Sequence, residues 1–219
     1  MPSRRLNQVL WFVVIAAAAY FGFQARDHID AFLARVGTLD VREDASQQTV
    51  YLKWTGKIDA PMEEKIAAAF EIYRDRTRTF VLSLSSPGGS LSHGAKVVRL
   101  LRGIGETHRI ETMVETGRVC ASMCVPVYLQ GQRRTAAADA RFMFHEVSFS
   151  DAESNVPIDV PQSATAKETD RLFVNYFKAA GVPDAWIKKI RSEMPGGEEV
   201  WKSGRELVEE NASIVQEVF

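Results

Sequence analysis

Two residues of the sequence have the types that a serine nucleophile and its base require. Ser122 stands between Ala121 and Met123, where a turn leads into the apolar run that begins at Cys124. A serine at such a turn presents its hydroxyl to a cleft, as a nucleophile elbow does, and it needs a base. His145 is a candidate base because it ends an apolar predicted strand. Each residue also has a plainer interpretation, since a serine can cap a helix and a histidine can be a hydrogen-bonded structural residue.

A glycine-rich turn is the second chemical feature. The run Ser-Pro-Gly-Gly at 86–89 follows a predicted strand over 80–84 and leads into a predicted helix. Glycines let backbone N–H groups point into a cleft, and the helix N-terminus behind them adds a positive dipole end. That combination suits the binding of a developing oxyanion, for which the N–H of Met123 is a second donor. A plain strand-to-helix turn is the alternative interpretation.

Strand and helix signals alternate along the chain, and this order decides where the chemical residues meet. Strands are predicted over 50–54, 80–84, 109–114 and 141–145, and helices over 62–76, 91–101, 124–129, 166–180, 184–193 and 204–211, with a loop over 148–165. The alternation predicts βαβ units and a mainly parallel sheet. Such sheets place their ligands at the carboxyl ends of the strands, where both turns and His145 are expected to lie.

The order of these motifs resembles the proteolytic subunit of Clp protease, which has the ClpP/crotonase fold. The similar features are the turn at 86–89, the run Ala-Ser-Met at 121–123, and a histidine about two dozen residues later. The resemblance covers residues 48–146 well and 147–219 only weakly. It implies an α/β fold of stacked ββα units with a mainly parallel sheet.

The resemblance also implies a role for each site residue. Ser122 would be the nucleophile and His145 the general base, and the N–H groups of Gly89 and Met123 would form the oxyanion hole. The third triad position matches Glu199, where the family has an aspartate.

The identity of the third triad residue stays open on the sequence alone. A glutamate can orient a histidine through its other ring nitrogen, but it is longer than aspartate, so the geometry must differ. Glu198 and Glu146 are rivals for the same role, and a solvated acidic turn is the plainer interpretation of this segment. The sequence also departs from the family over 150–164, which is interpreted as an insertion or a lid-like loop.

The N-terminal segment indicates that the protein is anchored in a membrane or exported. Arg4 and Arg5 precede an uncharged apolar run over 9–23, which as a helix is roughly 22 Å long, short of a bilayer core of about 30 Å. Residues 1–24 are therefore interpreted as a signal-anchor or a cleaved signal peptide, with a buried or partner-binding helix as the third possibility. The positive-inside rule then places the following domain on the non-cytoplasmic, periplasmic side, or makes it secreted if the signal is cleaved.

Composition and domain organisation agree with one enzyme domain behind that segment. Residues 25–47 are predicted to be a stalk or linker with a short helix, and 48–219 a single peptidase domain. The chain has 219 residues, a formal net charge of −1 and 2 cysteines. A near-neutral chain lacks the basic excess of a nucleic-acid binder, and two cysteines are too few for a disulfide framework or a four-cysteine zinc site.

The two cysteines, Cys120 and Cys124, flank the predicted nucleophile. A disulfide between them is chemically allowed in an oxidising compartment, but a four-residue separation makes its geometry doubtful. Small apolar packing is the predicted role. No metal site and no cofactor are expected, and the chain contains no Walker-type loop with which to power unfolding.

Three functional hypotheses follow. The first is a membrane-associated, homo-oligomeric serine peptidase that cleaves peptides or unfolded protein through an acyl-enzyme. The second is a Ser–Lys dyad protease similar to signal peptide peptidase A, with Lys167 or Lys178 as the base. The third is a catalytically inactive scaffold of the same fold that binds partners at the membrane. An acyl-CoA enzyme of the crotonase type is disfavoured, because that chemistry assigns no task to the Ser-His pair.

Overall fold

The computed structural model describes residues 37–59, 61–149, 156 and 158–219. The signal-anchor or signal peptide predicted over 1–24 lies outside the described residues, as does most of the predicted linker. Within the part of the chain that is described, no helix is long and apolar enough to cross a membrane.

The strands make two sheets. Those of the described residues are β1 (Thr38–Asp44), β2 (Thr49–Thr55), β3 (Thr79–Ser85), β4 (Arg109–Val114), β5 (Val119–Ala121), β6 (Arg133–Ala136), β7 (Arg141–Phe144), β8 (Val200–Ser203) and β9 (Glu217–Val218). The larger sheet has the order β1-β2-β3-β4-β6-β9, and the smaller has the order β5-β7-β8. All neighbours are parallel except β1 with β2 and β7 with β8. The predicted α/β fold is therefore confirmed, with sheets that are mixed and mainly parallel.

Helices connect and cover the strands. They are α1 (Met62–Tyr73), α2 (Leu91–Gly105), α3 (Cys124–Tyr128), α4 (Gln162–Leu172), α5 (Asp184–Ser192) and α6 (Gly204–Glu209). A π-helical turn, Phe173–Phe177, continues α4 directly. Short 3-10 turns occupy Ala45–Gln47, Lys178–Ala180 and Pro195–Gly197.

The hydrophobic core explains why these segments take these conformations. In β3 five consecutive residues are buried, as expected of a central strand that is covered on both faces. Helix α1 buries Met62, Ile66 and Ala69, which recur at helical spacing and share one face. Trp54 and Tyr128 are fully buried, but their polar atoms are paired. The Trp54 Nε1–H donates to the Gly56 carbonyl, and the Tyr128 hydroxyl donates to the Thr135 carbonyl.

The structure corrects several sequence-based boundaries. Strand β1 occupies 38–44, where a helical stalk was predicted, and it pairs with β2 along its whole length. Its side chains are mostly exposed, so the sequence contains no alternating apolar pattern from which to predict it. The strand depends on its pairing with β2. Helix α2 continues to Gly105, four residues beyond the end of the helix predicted over 91–101. The loop predicted over 148–165 ends earlier, because α4 already begins at Gln162.

Candidate active site

Ser122 occupies a strained turn between β5 and α3. Its φ is +52°, in the left-handed region that non-glycine residues seldom adopt. Its N–H donates to the carbonyl of Met143 at 2.9 Å, and its own carbonyl accepts from the N–H of Val125 at 3.0 Å. The turn is therefore held on both sides, and it presents the side chain at the end of the strand. Such local strain is often found at functional sites.

The parallel pairing of β5 and β7 brings His145 to Ser122. In this ladder Ala121 lies opposite Met143, so Ser122 and the end of β7 emerge at the same sheet edge. The His145 Nε2 atom lies 2.8 Å from Ser122 Oγ. In the tautomer that carries its proton on Nδ1, the ring can accept the serine proton, which is the arrangement that an activated serine needs.

The glycine turn lies directly beside Ser122. A Cβ at position 88 would come within 2.8 Å of both the Ala121 carbonyl oxygen and Ser122 Cβ. The neighbouring bridge uses the Ile58 N–H, which donates to the Gly88 carbonyl, and the Ile58 carbonyl, which accepts from Ser90. That pattern leaves the Gly89 N–H outside the ladder.

The N–H groups of the two predicted oxyanion donors have no hydrogen-bond partner within the described residues, although Met123 is buried. Among the hydrogen bonds of the described residues, none uses the N–H of Gly89 or the N–H of Met123. Gly89 is exposed, and it lines the same cleft as Ser122 and His145. Two unused N–H groups beside a serine hydroxyl can stabilise the negative oxygen of a tetrahedral intermediate.

Among the residues that the structure describes, no carboxylate is in hydrogen-bond contact with the second ring nitrogen of His145. Glu199 instead accepts from the Trp201 Nε1–H at 3.1 Å, and Glu146 accepts from Gln162. Within the described residues no hydrogen bond joins His145 Nδ1 to any side chain. The assignment of Glu199 as the third triad residue stays a prediction.

Strand register nevertheless puts Glu199 close to His145. Strand β8 runs antiparallel to β7, and the ladder ends with Phe144 opposite Val200. Neither residue is part of the ladder, but continuing its register by one residue would place Glu199 opposite His145, and cross-strand pairs have Cβ atoms about 4.5–5.5 Å apart. A triad role for Glu199 therefore requires its carboxylate to leave Trp201 and turn towards the ring. No such register relates Glu146, which follows His145 in the chain, or Glu198.

A charged cluster that the sequence analysis missed holds β8 in place. Glu210, at the end of α6, accepts hydrogen bonds from Trp186 Nε1 and Lys202 Nζ and pairs with Lys189. Partial burial raises the pKa of Glu210, but the hydrogen bonds from Lys189, Lys202 and Trp186 outweigh it and lower the pKa to about 2. These residues are scattered over 186–210, so no local motif could have revealed them.

The cleft in front of the Ser-His pair has a mixed lining. Its volume is about 680 Å³. Its apolar lining residues include Phe173 and Phe177, whose rings stack 4.3 Å apart on the π-helical turn. Its polar lining residues include Lys57 and His93. π-helical turns are frequently found at functional sites, and this one contributes two aromatic rings to the cleft.

The structure corrects the prediction for the cysteines. Cys120 and Cys124 form a disulfide with their Cα atoms 5.2 Å apart, instead of serving only as small apolar packing. The left-handed turn at Ser122 folds the chain back on itself, which brings the two residues within the usual disulfide range. Sequence separation alone did not reveal this reversal.

The lysines of the dyad hypothesis lie elsewhere. Lys178 pairs with Asp184 at 3.1 Å, and Lys167 is exposed on α4. Neither forms a hydrogen bond with Ser122, whose side-chain partner among the described residues is His145. Among the described residues no group of histidine, cysteine, aspartate and glutamate side chains could hold a metal ion.

Comparisons with known proteins agree with this architecture. No family model matches the chain, and no curated protein matches it. Among solved structures, the chain is similar to a mutant of ClpP1 from Listeria monocytogenes. The TM-score is 0.57 at 19% sequence identity, over 80% of this chain and 92% of that one. The chain thus has a ClpP-like fold.

Proposed function

We propose that the protein is a serine peptidase that uses Ser122 as nucleophile and His145 as general base. The observation that carries the proposal is the 2.8 Å contact between Ser122 Oγ and His145 Nε2, made at a strained turn. Two unused backbone N–H groups lie beside the serine, and the ClpP-like fold supports the same chemistry. Each of these features is common alone, but together they supply a nucleophile, a base and an oxyanion site.

The arrangement supports an ordered acyl transfer. His145 accepts the Ser122 hydroxyl proton while the oxygen attacks the peptide carbonyl, and the resulting oxyanion accepts from the N–H groups of Gly89 and Met123. The imidazolium then gives its proton to the departing amine, which leaves an acyl-enzyme. Water, deprotonated by the same ring, releases the acid and restores the serine.

The cleft suits a peptide with an apolar side chain next to the scissile bond. Leu172, Phe173 and Phe177 contribute to its lining, so an apolar group inserted there would leave water for an environment that is partly apolar. Peptides and unfolded protein segments expose such side chains, whereas folded proteins bury them.

The proposal includes a site of action at the membrane and outside the cytoplasm. The basic residues Arg4 and Arg5 before the apolar run support that orientation. The disulfide between Cys120 and Cys124 supports it as well, since disulfides persist in oxidising compartments. The ClpP-like fold supports assembly into a homo-oligomer.

Hydrolysis of a fluorogenic peptide with an apolar residue before the reporter tests the proposal. We expect wild-type protein to cleave it and Ser122→Ala to lose the activity while keeping its melting temperature. Ser192→Ala is the matched control, because this exposed serine lies at the end of α5, where its hydroxyl only donates to the Lys189 carbonyl. Equal activity of Ser122→Ala and wild type would refute the assignment.

One observation favours the inactive scaffold as a second candidate. The Glu199 carboxylate accepts a hydrogen bond from Trp201, and no carboxylate of the described residues is hydrogen-bonded to the His145 ring, as one would be in a catalytic triad. A folded, homo-oligomeric protein that neither cleaves peptides nor reacts with any acylating probe would support that candidate over the peptidase.

A further inference from the structure

The disulfide encloses the proposed nucleophile in a short covalent loop. Cys120 belongs to β5 and Cys124 is the first residue of α3, so Ser122 lies midway between them. Both cysteines are fully buried. The bond therefore faces the protein interior, while the Ser122 side chain faces the cleft.

The Ser122 backbone needs such a restraint. A positive φ costs an L-residue roughly 1–2 kcal/mol, and Ser122 adopts +52°. Among the described residues, two backbone hydrogen bonds hold Ser122 itself, one from its N–H to the Met143 carbonyl and one from the Val125 N–H to its own carbonyl. The glycine turn is in tight contact but forms no hydrogen bond with Ser122 among the described residues.

We infer that the Cys120–Cys124 disulfide is a positioning element for catalysis, which keeps Ser122 in its left-handed conformation with Oγ against His145. The inference rests on the proposed function. The cysteines touch no substrate and act only through the backbone of the turn. When the bond is broken, the turn relaxes towards ordinary φ values, and the fraction of molecules with a correctly placed hydroxyl falls.

Breaking the bond by a dithiol is ordinary thiol–disulfide exchange. One thiolate of the reductant attacks a protein sulfur and releases the other cysteine as a thiolate. The second thiolate of the reductant then closes its own disulfide, so two electrons and two protons pass to the protein. Because both cysteines are buried, the reaction requires local opening and is expected to be slow in the native state.

The test measures kcat, KM and the rate of fluorophosphonate labelling for wild type and for the double variant Cys120→Ala/Cys124→Ala. We expect kcat and the labelling rate to fall about fivefold to thirtyfold, as the cost of a positive φ implies, with KM nearly unchanged. Val50→Ala is the matched control, since it creates a cavity at the buried start of β2, away from the catalytic edge. It is expected to lower stability without changing the labelling rate.

Reduction of the wild-type protein tests the positioning role independently, in case the double variant does not fold. Dithiothreitol is expected to lower the labelling rate as the two thiols become titratable, and hydrogen exchange over 119–125 is expected to accelerate. Full activity of the folded double variant, or of fully reduced wild type, would overturn the inference. If oxidised wild type itself is never labelled, the proposed function fails instead; unchanged exchange over 119–125 after reduction would then overturn the positioning role separately.

Discussion

Replacing Gly88 by alanine should disable the proposed oxyanion site while leaving Ser122 and His145 unchanged in sequence. Gly88 has φ +96°, which alanine adopts only at a cost of roughly 1–2 kcal/mol. The new Cβ would lie 2.8 Å from the Ala121 carbonyl oxygen and from Ser122 Cβ. Backbone atoms cannot rotate out of the way as a flexible side chain can.

The size of the effect follows from those contacts. Overpacking of a tight site costs about 1–3 kcal/mol, so with the backbone term the variant should lose about 2–5 kcal/mol of folding stability. In a domain of this size that loss lowers the melting temperature by roughly 4–20 °C. If the turn moves to relieve the overlap, it moves the Gly89 N–H, and loss of one oxyanion donor lowers kcat about 100-fold to 1000-fold.

Steady-state peptide hydrolysis and thermal unfolding of Gly88→Ala measure both effects. The matched control is Gly103→Ala, because a Cβ there meets no atom within 4 Å and the residue lies inside α2. Alanine at that position should stabilise the helix by up to about 1 kcal/mol and leave kcat unchanged. A folded Gly88→Ala protein with wild-type kcat would refute the role of this turn.

Three further predictions concern residues around the Ser-His pair. His145→Ala should lower kcat at least 100-fold, whereas a Ser–Lys enzyme would keep most of its activity in the same assay. Glu199→Ala should lower kcat at least tenfold and alter the pH–rate profile, whereas Trp201→Phe should preserve kcat because it releases the Glu199 carboxylate. A Glu199→Ala protein with wild-type kcat, together with a loss of kcat in Trp201→Phe, would exclude Glu199 from the triad. The ion pairs of Glu210 lower its pKa from 4.5 to about 2. They therefore stabilise the fold fully above the ordinary pKa, and this stabilisation is lost as the pH falls towards the lowered one. The free energy of unfolding in urea should fall by about 1–2 kcal/mol between pH 6 and pH 3 for this reason in wild type, and Glu210→Gln should lack that part of the loss.

The parts of the site that could be predicted from the sequence all lie at ends of regular elements. The turn at 86–89 follows a predicted strand and His145 ends one, and parallel strands bring such positions to one edge of a sheet. Ser122 reaches the same edge through β5, a short strand where only a turn was predicted, because β5 pairs in parallel with β7. Local patterns were sufficient wherever a strand was apolar and its neighbours alternated with helices.

The missed elements depend on contacts between distant parts of the chain. Strand β1 is a polar edge strand, and β8 is a short strand that pairs antiparallel with β7. Neither has an apolar period of its own. The Cys120–Cys124 bond requires the reversal at Ser122, which is a backbone angle and not a residue type.

Mapping the covalent adduct of a fluorophosphonate by mass spectrometry shows directly whether Ser122 is the nucleophile. The oxidised wild-type protein is incubated with the probe and digested, and the modified residue is identified. We expect one adduct on Ser122, absent from Ser122→Ala and formed at least 100-fold more slowly by His145→Ala. An adduct on another residue, or no adduct on folded, oxidised protein, would contradict it.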